Sequence, residues 1–148
     1  MGISDFYMSI GLKRNISHFA NMVKIAKSDN VITDEEMVLL QLIAKRYNIS
    51  EDQFKEILKA PEKFPTIAYL ESEERVERLY DLIKMVEVDH KAEIEEVAVL
   101  RRIVTGLAFP LKSVDAIVDR AIEIRADDCD LEHFKKEIMK VSPIQRLH

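Results

Sequence analysis

The stretch Ser-Asp-Asn-Val-Ile-Thr-Asp-Glu-Glu, residues 28–36, carries four carboxylates within eight residues. Oxygen-only clusters of this kind suit hard cations such as Ca²⁺, Mg²⁺ or Mn²⁺. Sixty residues later the stretch Val-Asp-His-Lys-Ala-Glu-Ile-Glu-Glu, residues 88–96, repeats the Asp and the last two Glu in the same register. If the two turns converge, the sequence predicts a divalent-cation site formed by Asp29, Glu36, Asp89 and Glu96.

Helix capping is the alternative interpretation of the first turn. Thr33 followed by Glu36 is a capping box, and Asn30 suits the left-handed conformation that ends many helices. Capping leaves Asp29 unexplained, and it leaves the second copy unexplained because Glu93 stands where the cap belongs. The first turn is not an EF-hand loop, since Asp34 would occupy the position that requires glycine.

Other chemistry has weaker support in the sequence. The four histidines lack zinc-ligand spacing, and with three glycines a phosphate-binding loop is not expected. Cys129, Asp130 and His133 form the only Cys/His/Asp cluster, which we interpret as a helix cap at Asp130 followed by a first-turn histidine. An enzyme that uses the paired carboxylates with a metal remains a third alternative, behind a binding module and a structural domain.

Apolar residues recur at spacings of three and four almost throughout, which predicts helices rather than strands. One stripe falls at Phe19 to Ala26, a second at Leu39 to Tyr47, and a third at Phe54 to Leu58 after a Ser50/Gln53 capping box. Prolines 61 and 65 end that unit. The pattern predicts further helices over residues 3–12, 72–88, 93–107, 111–124 and 131–141, giving an all-α bundle of seven to eight helices.

An internal repeat organises these helices. Residues 18–58 align without gaps on residues 78–118 at an offset of 60, and the match brings Leu40 onto Leu100 and Ile43 onto Ile103. We expect one domain over residues 1–148, built from two units that each contain a helix, an acidic turn and two further helices, related by a pseudo-twofold axis.

Composition narrows the functional classes. The net charge is −5 and no basic stripe with interleaved aromatics occurs, so nucleic-acid binding is not expected. A single cysteine, and no signal peptide or bilayer-spanning apolar run, predict a cytoplasmic protein without direct membrane insertion.

The segment MVKIAKSDNVITDEEMVLLQLIAKRYNIS, residues 22–50, resembles the signature of the TerB-like domain. This family includes the tellurite-resistance TerB proteins and the N-terminal part of DjlA-type membrane co-chaperones. Its pattern is an apolar helix ending in Ala-x-x-Asp-Gly, then an aliphatic residue, then Glu seven positions after the Asp. Asn30 and His90 replace the glycine here, and Ala92 and Glu93 depart further from the pattern in the second copy.

The resemblance implies a compact helical domain with pseudo-repeated helices and cation-binding acidic turns. It also implies a binding or scaffolding role in stress response, without established catalysis. We therefore expect a non-enzymatic module that binds a divalent cation and a protein partner, with a homodimer as one form of partnership. The alternative is a purely structural or dimerising helical domain in which the acidic turns are ordinary caps and no metal binds.

Overall fold

The computed structural model describes residues 10–68, 71–88, 94–124 and 129–141. These residues form seven α-helices and two 3-10 turns and contain no strand, so the all-α prediction is confirmed. None of the described helices is both long enough and apolar enough to cross a bilayer. The α-helices are α1 (Ile10–Ala26), α2 (Asp34–Arg46), α3 (Glu51–Lys59), α4 (Ser72–Glu87), α5 (Ile94–Gly106), α6 (Val114–Ile124) and α7 (Leu131–Val141), with 3-10 turns η1 (Pro61–Lys63) and η2 (Leu111–Ser113).

Local sequence sets the helix ends. Helix α3 begins at the predicted capping box, in which the Ser50 hydroxyl accepts from the Gln53 N–H and the Gln53 side chain accepts from the Ser50 N–H. It ends before Pro61, which begins η1 and cannot continue the α-helix. Asp130 caps α7 by accepting the His133 N–H at 2.9 Å, as predicted.

The core lies around the central pair α1 and α4, which pack against each other. Helices α2, α3 and α5 pack on α1, whereas α5, α6 and α7 pack on α4. The apolar stripe predicted in α1 is buried throughout, from Phe19 to Ala26. Burial of these stripes is the main stabilising contribution to the bundle.

Two predicted helix starts lie outside the described residues. A separate helix was predicted over residues 3–12; residues 10–12 are continuous with α1, and residues 3–9 lie outside the described residues. Apolar spacing alone does not show whether two neighbouring helical stripes are joined. Glu93, the predicted start of the fifth long helix, also lies outside the described residues, and α5 is described from Ile94.

Candidate functional site

The first acidic turn adopts the predicted capping geometry. Asn30 has φ of 67°, the left-handed conformation expected after the end of a helix. The Thr33 hydroxyl accepts from the Glu36 N–H at 3.1 Å, and Glu36 Oε1 accepts from the Thr33 N–H at 2.8 Å. Asp29 is exposed, and its Oδ1 accepts from the Val31 N–H at 3.1 Å, which orders the turn locally.

The second acidic turn is described only in part. Asp89 lies outside the described residues, whereas Glu96 lies in the first turn of α5 and is 5 % exposed. Its counterpart Glu36 is 2 % exposed. No group of three or more His, Cys, Asp or Glu side chains within the described ranges is arranged to hold a metal ion. The site that joins Asp29, Glu36, Asp89 and Glu96 therefore stays a prediction.

A buried polar cluster between α1, α2 and α4 is the most elaborate polar feature of the described chain. Its centre is Asp81, 5 % exposed, whose carboxylate accepts three hydrogen bonds. His18 Nε2 donates to Oδ2 at 2.9 Å, Tyr47 Oη donates to Oδ2 at 3.1 Å, and Arg46 Nη2 donates to Oδ1 at 2.9 Å. We refer to His18, Arg46, Tyr47, Arg78 and Asp81 as the Asp81 cluster.

Aromatic contacts join the other four side chains of the cluster. The rings of His18 and Tyr47 meet edge to face with centroids 5.4 Å apart. The guanidinium groups of Arg46 and Arg78 lie 5.2 Å and 4.9 Å from the centroid of the Tyr47 ring. Cation–π contacts of this kind are stronger where water is excluded. The cluster thus ties α1, α2 and α4 together through one acidic side chain.

Burial decides the protonation states in the cluster. Burial lowers the pKa of His18, although the hydrogen bond and negative charge of Asp81 oppose the shift. Burial alone raises the pKa of Asp81, but the hydrogen bond from His18 and the charge of Arg46 outweigh it, so the pKa of Asp81 lies below its ordinary value. We assign a neutral His18 that donates through Nε2, because its Nδ1 is buried with no partner among the described residues. The negative charge of Asp81 is then balanced by Arg46.

The Asp81 cluster was not predicted from the sequence, where the four histidines were considered only for zinc-ligand spacing. A usable signal was present: Ser17, His18 and Asn21 interrupt the apolar stripe of α1, and Arg78 and Asp81 interrupt that of α4. Polar side chains on a buried face must find partners. The partner itself is not readable, because His18 and Asp81 are 63 residues apart.

Comparison with known proteins adds no family assignment. No protein-family model matches the chain, and neither a curated protein nor a solved structure is similar enough to match it. The resemblance to the TerB-like domain, which covers most of the chain but is specific only near residues 18–49, stays a prediction.

Proposed function

We propose that this chain is a non-enzymatic, TerB-like helical binding module whose acidic turns hold a divalent cation. The observation that carries this proposal is the pair Glu36 and Glu96, two carboxylates buried in the first turns of α2 and α5. Each carboxylate has two oxygens with several acceptor positions, so Glu36 can bind a cation while its Oε1 accepts the capping hydrogen bond from the Thr33 N–H. Asp29 and Asp89 would supply the remaining side-chain ligands.

The proposed repeat supports equivalence of the two turns. Helices α2 and α5 end at Arg46 and Gly106, which are 60 positions apart, and both ends lie within the described residues. Beyond these helices, Asn48 and Ala108 both have positive φ, at 59° and 80°. Alanine rarely adopts this conformation, so its occurrence at the position equivalent to an asparagine favours a shared backbone plan.

The geometry of the Asp81 cluster supports a non-enzymatic role. His18 and Asp81 form the pair most similar to an acid–base pair in the described chain, yet His18 is only 1 % exposed. A general base must reach the proton of a bound substrate directly or through one water. Asp81 already accepts three hydrogen bonds, so its geometry suits a structural role.

The outer face of α2 suits a protein partner. Val38 and Leu42, four residues apart on that helix, are 56 % and 60 % exposed. A partner, or a second copy of the chain, would remove these side chains from water. A second copy corresponds to the alternative function, a dimerising structural domain. Light scattering coupled to gel filtration separates the two functions. If the partner is a different protein, wild type and Leu42→Lys should both be monomers; if the domain dimerises, wild type should be a dimer and only Leu42→Lys a monomer.

Thermal unfolding tests the cation role directly. The protein is unfolded after EDTA treatment and dialysis, and then with increasing Ca²⁺, Mn²⁺ or Mg²⁺. A cation that binds only the folded state raises the unfolding midpoint continuously as its concentration increases. At a hundred times its Kd, the free energy of unfolding increases by about 2.7 kcal/mol. An unchanged midpoint with all three cations contradicts the proposal.

Variants assign the effect to the acidic turns. Glu36→Gln removes a charge but keeps a capping residue, since Gln53 serves that purpose in α3. This variant and Glu96→Gln should abolish the cation-dependent rise. Glu51→Gln, which removes a first-turn charge from α3, is the matched control and should retain the full rise.

A further inference from the structure

A groove of about 490 Å³ opens between the end of α1, the η1 turn with the loop after it, and α5. Its charged lining comprises three cations, Lys24, Lys27 and Arg102, and one carboxylate, Glu62. We call it the basic groove. No sequence pattern indicated this groove, because Arg102 lies far along the chain from Lys24 and Lys27, in a protein whose net charge is −5.

Two of the cations are held in fixed positions. Lys24 Nζ donates to Asn21 Oδ1 at 3.1 Å and to the Phe64 carbonyl at 2.9 Å, and Lys27 Nζ donates to the Leu58 carbonyl at 2.9 Å. An ammonium group has three N–H donors. Lys24 therefore keeps one donor and Lys27 keeps two for a ligand.

A buried residue that contacts two lining residues orders the groove further. Asn21, 1 % exposed, accepts at Oδ1 from both Lys24 Nζ and the Thr66 hydroxyl, the latter at 3.0 Å. Thr66 in turn packs closely on α5, because a Cβ added to Gly106 would lie 3.0 Å from Thr66 Cγ2. The glycine thus allows the loop to approach the helix and to form one wall of the groove.

Arg102 distinguishes this groove from a pair of helix-end lysines. Lysines near helix C-termini stabilise the last carbonyl groups, which is sufficient reason for Lys24 and Lys27 to be where they are. Arg102, by contrast, is exposed and has no hydrogen-bond or ion-pair partner among the described residues. Its planar guanidinium can bind an oxyanion in a bidentate manner.

We infer that the basic groove binds a small multivalent oxyanion, a molecule that carries carboxylate or phosphate groups. Arg102 binds one group through its paired N–H donors, and Lys24 and Lys27 bind another through their remaining donors. The volume lies within the range of small-molecule sites. Burial lowers the pKa of Lys24, and Glu62 partly opposes this; a bound anion would favour the charged ammonium further.

The test is a titration of ¹⁵N-labelled protein followed by NMR at constant ionic strength in metal-free buffer. The two probes are tricarballylate, a tricarboxylate, and inorganic pyrophosphate. We expect saturable shifts of the Arg102 side-chain N–H and of the Thr66 and Asn30 amides with at least one probe. The probe that binds more tightly identifies carboxylate or phosphate as the preferred group. Because the buffer contains no divalent cations, this result is independent of the proposed cation binding.

Arg102→Gln should weaken the binding about tenfold, the effect of losing one charge-assisted contact. Its midpoint of thermal unfolding should stay at the wild-type value, because the side chain is exposed and unpaired within the described residues. Lys112→Gln removes the same charge from an exposed position outside the groove and should leave the affinity unchanged. Chemical shifts that change linearly with the concentration of both probes would overturn the inference. An equal loss of affinity in Arg102→Gln and Lys112→Gln would also overturn it.

Discussion

Replacing Asp81 by Asn tests how much of the fold depends on the Asp81 cluster. The substitution keeps the size of the side chain but removes its charge and replaces one acceptor oxygen by a donor. His18 Nε2 and Tyr47 Oη both donate to Oδ2. If the NH₂ of the asparagine occupies the position of Oδ2, both donors lose their acceptor inside the protein. If the NH₂ occupies the position of Oδ1, it faces the guanidinium of Arg46.

The expected loss of stability depends on how deeply the hydrogen-bond partners of Asp81 are buried. A hydrogen bond to a charged group contributes about 1.5–3 kcal/mol, so two such bonds on Oδ2 correspond to roughly 3–6 kcal/mol. Arg46 adds little, because its side chain is 53 % exposed and water can replace the lost partner. Since the amide oxygen can still accept from some of these donors, we expect Asp81→Asn to destabilise the protein by about 3 kcal/mol, the lower limit of that range.

Urea denaturation followed by circular dichroism measures this loss, and a thermal scan should show a midpoint lower by about 6–12 °C. Asp115→Asn is the control: it removes an ion pair with Arg101 in which the aspartate side chain is 84 % exposed, and it should cost less than about 1 kcal/mol. An equal, small effect of both variants would refute the argument that Asp81 organises the contact between α1, α2 and α4.

Two further predictions concern pH and capping. The pKa of His18 is lowered in the folded state, mainly by burial. Folding is therefore most favourable above pH 6.5, the ordinary pKa of histidine, where His18 is neutral in both states. This stability is lost as the pH falls from 6.5 towards the folded-state pKa, because the unfolded chain then binds a proton that the folded protein does not. His18→Gln should reduce the slope of the unfolding free energy against pH in this range by at most about 1.4 kcal/mol per pH unit. His133→Gln, at an exposed position, should leave the slope unchanged. An unchanged slope in both variants would mean that His18 is charged in the folded state. In the first acidic turn, Thr33→Ala should cost about 0.5–2 kcal/mol and Thr33→Ser much less, as measured by urea denaturation, and equal costs would show that the hydroxyl is not the stabilising group.

The helices were predictable because their signals are local. The capping boxes at Thr33 and Ser50 and the break at Pro61 act over a few residues, and the structure places helix boundaries there. Apolar stripes then identify the buried faces without any knowledge of what covers them. This is why the element order and much of the core could be predicted from the sequence.

The contacts between distant polar groups were not predictable. His18 lies on α1 and Asp81 on α4, and their hydrogen bond depends on how these two helices dock. The basic groove depends in addition on the loop that carries Thr66 and on its close approach to Gly106. Periodicity identifies a buried face, but it does not give the rotation and translation of one helix against another.

The polar interruptions of the two central helices also bear on the proposed repeat. At an offset of 60, His18 corresponds to Arg78 and Asn21 corresponds to Asp81, and all four side chains are buried. A bundle of two identical units would place like groups in equivalent positions, and two buried aspartates or two buried arginines would repel each other. In this chain the corresponding positions differ, so the single acid at position 81 is matched by donors from the first unit, His18, Arg46 and Tyr47. If the chain is a repeat, as we propose, divergence at these positions makes the pairing of its two halves specific.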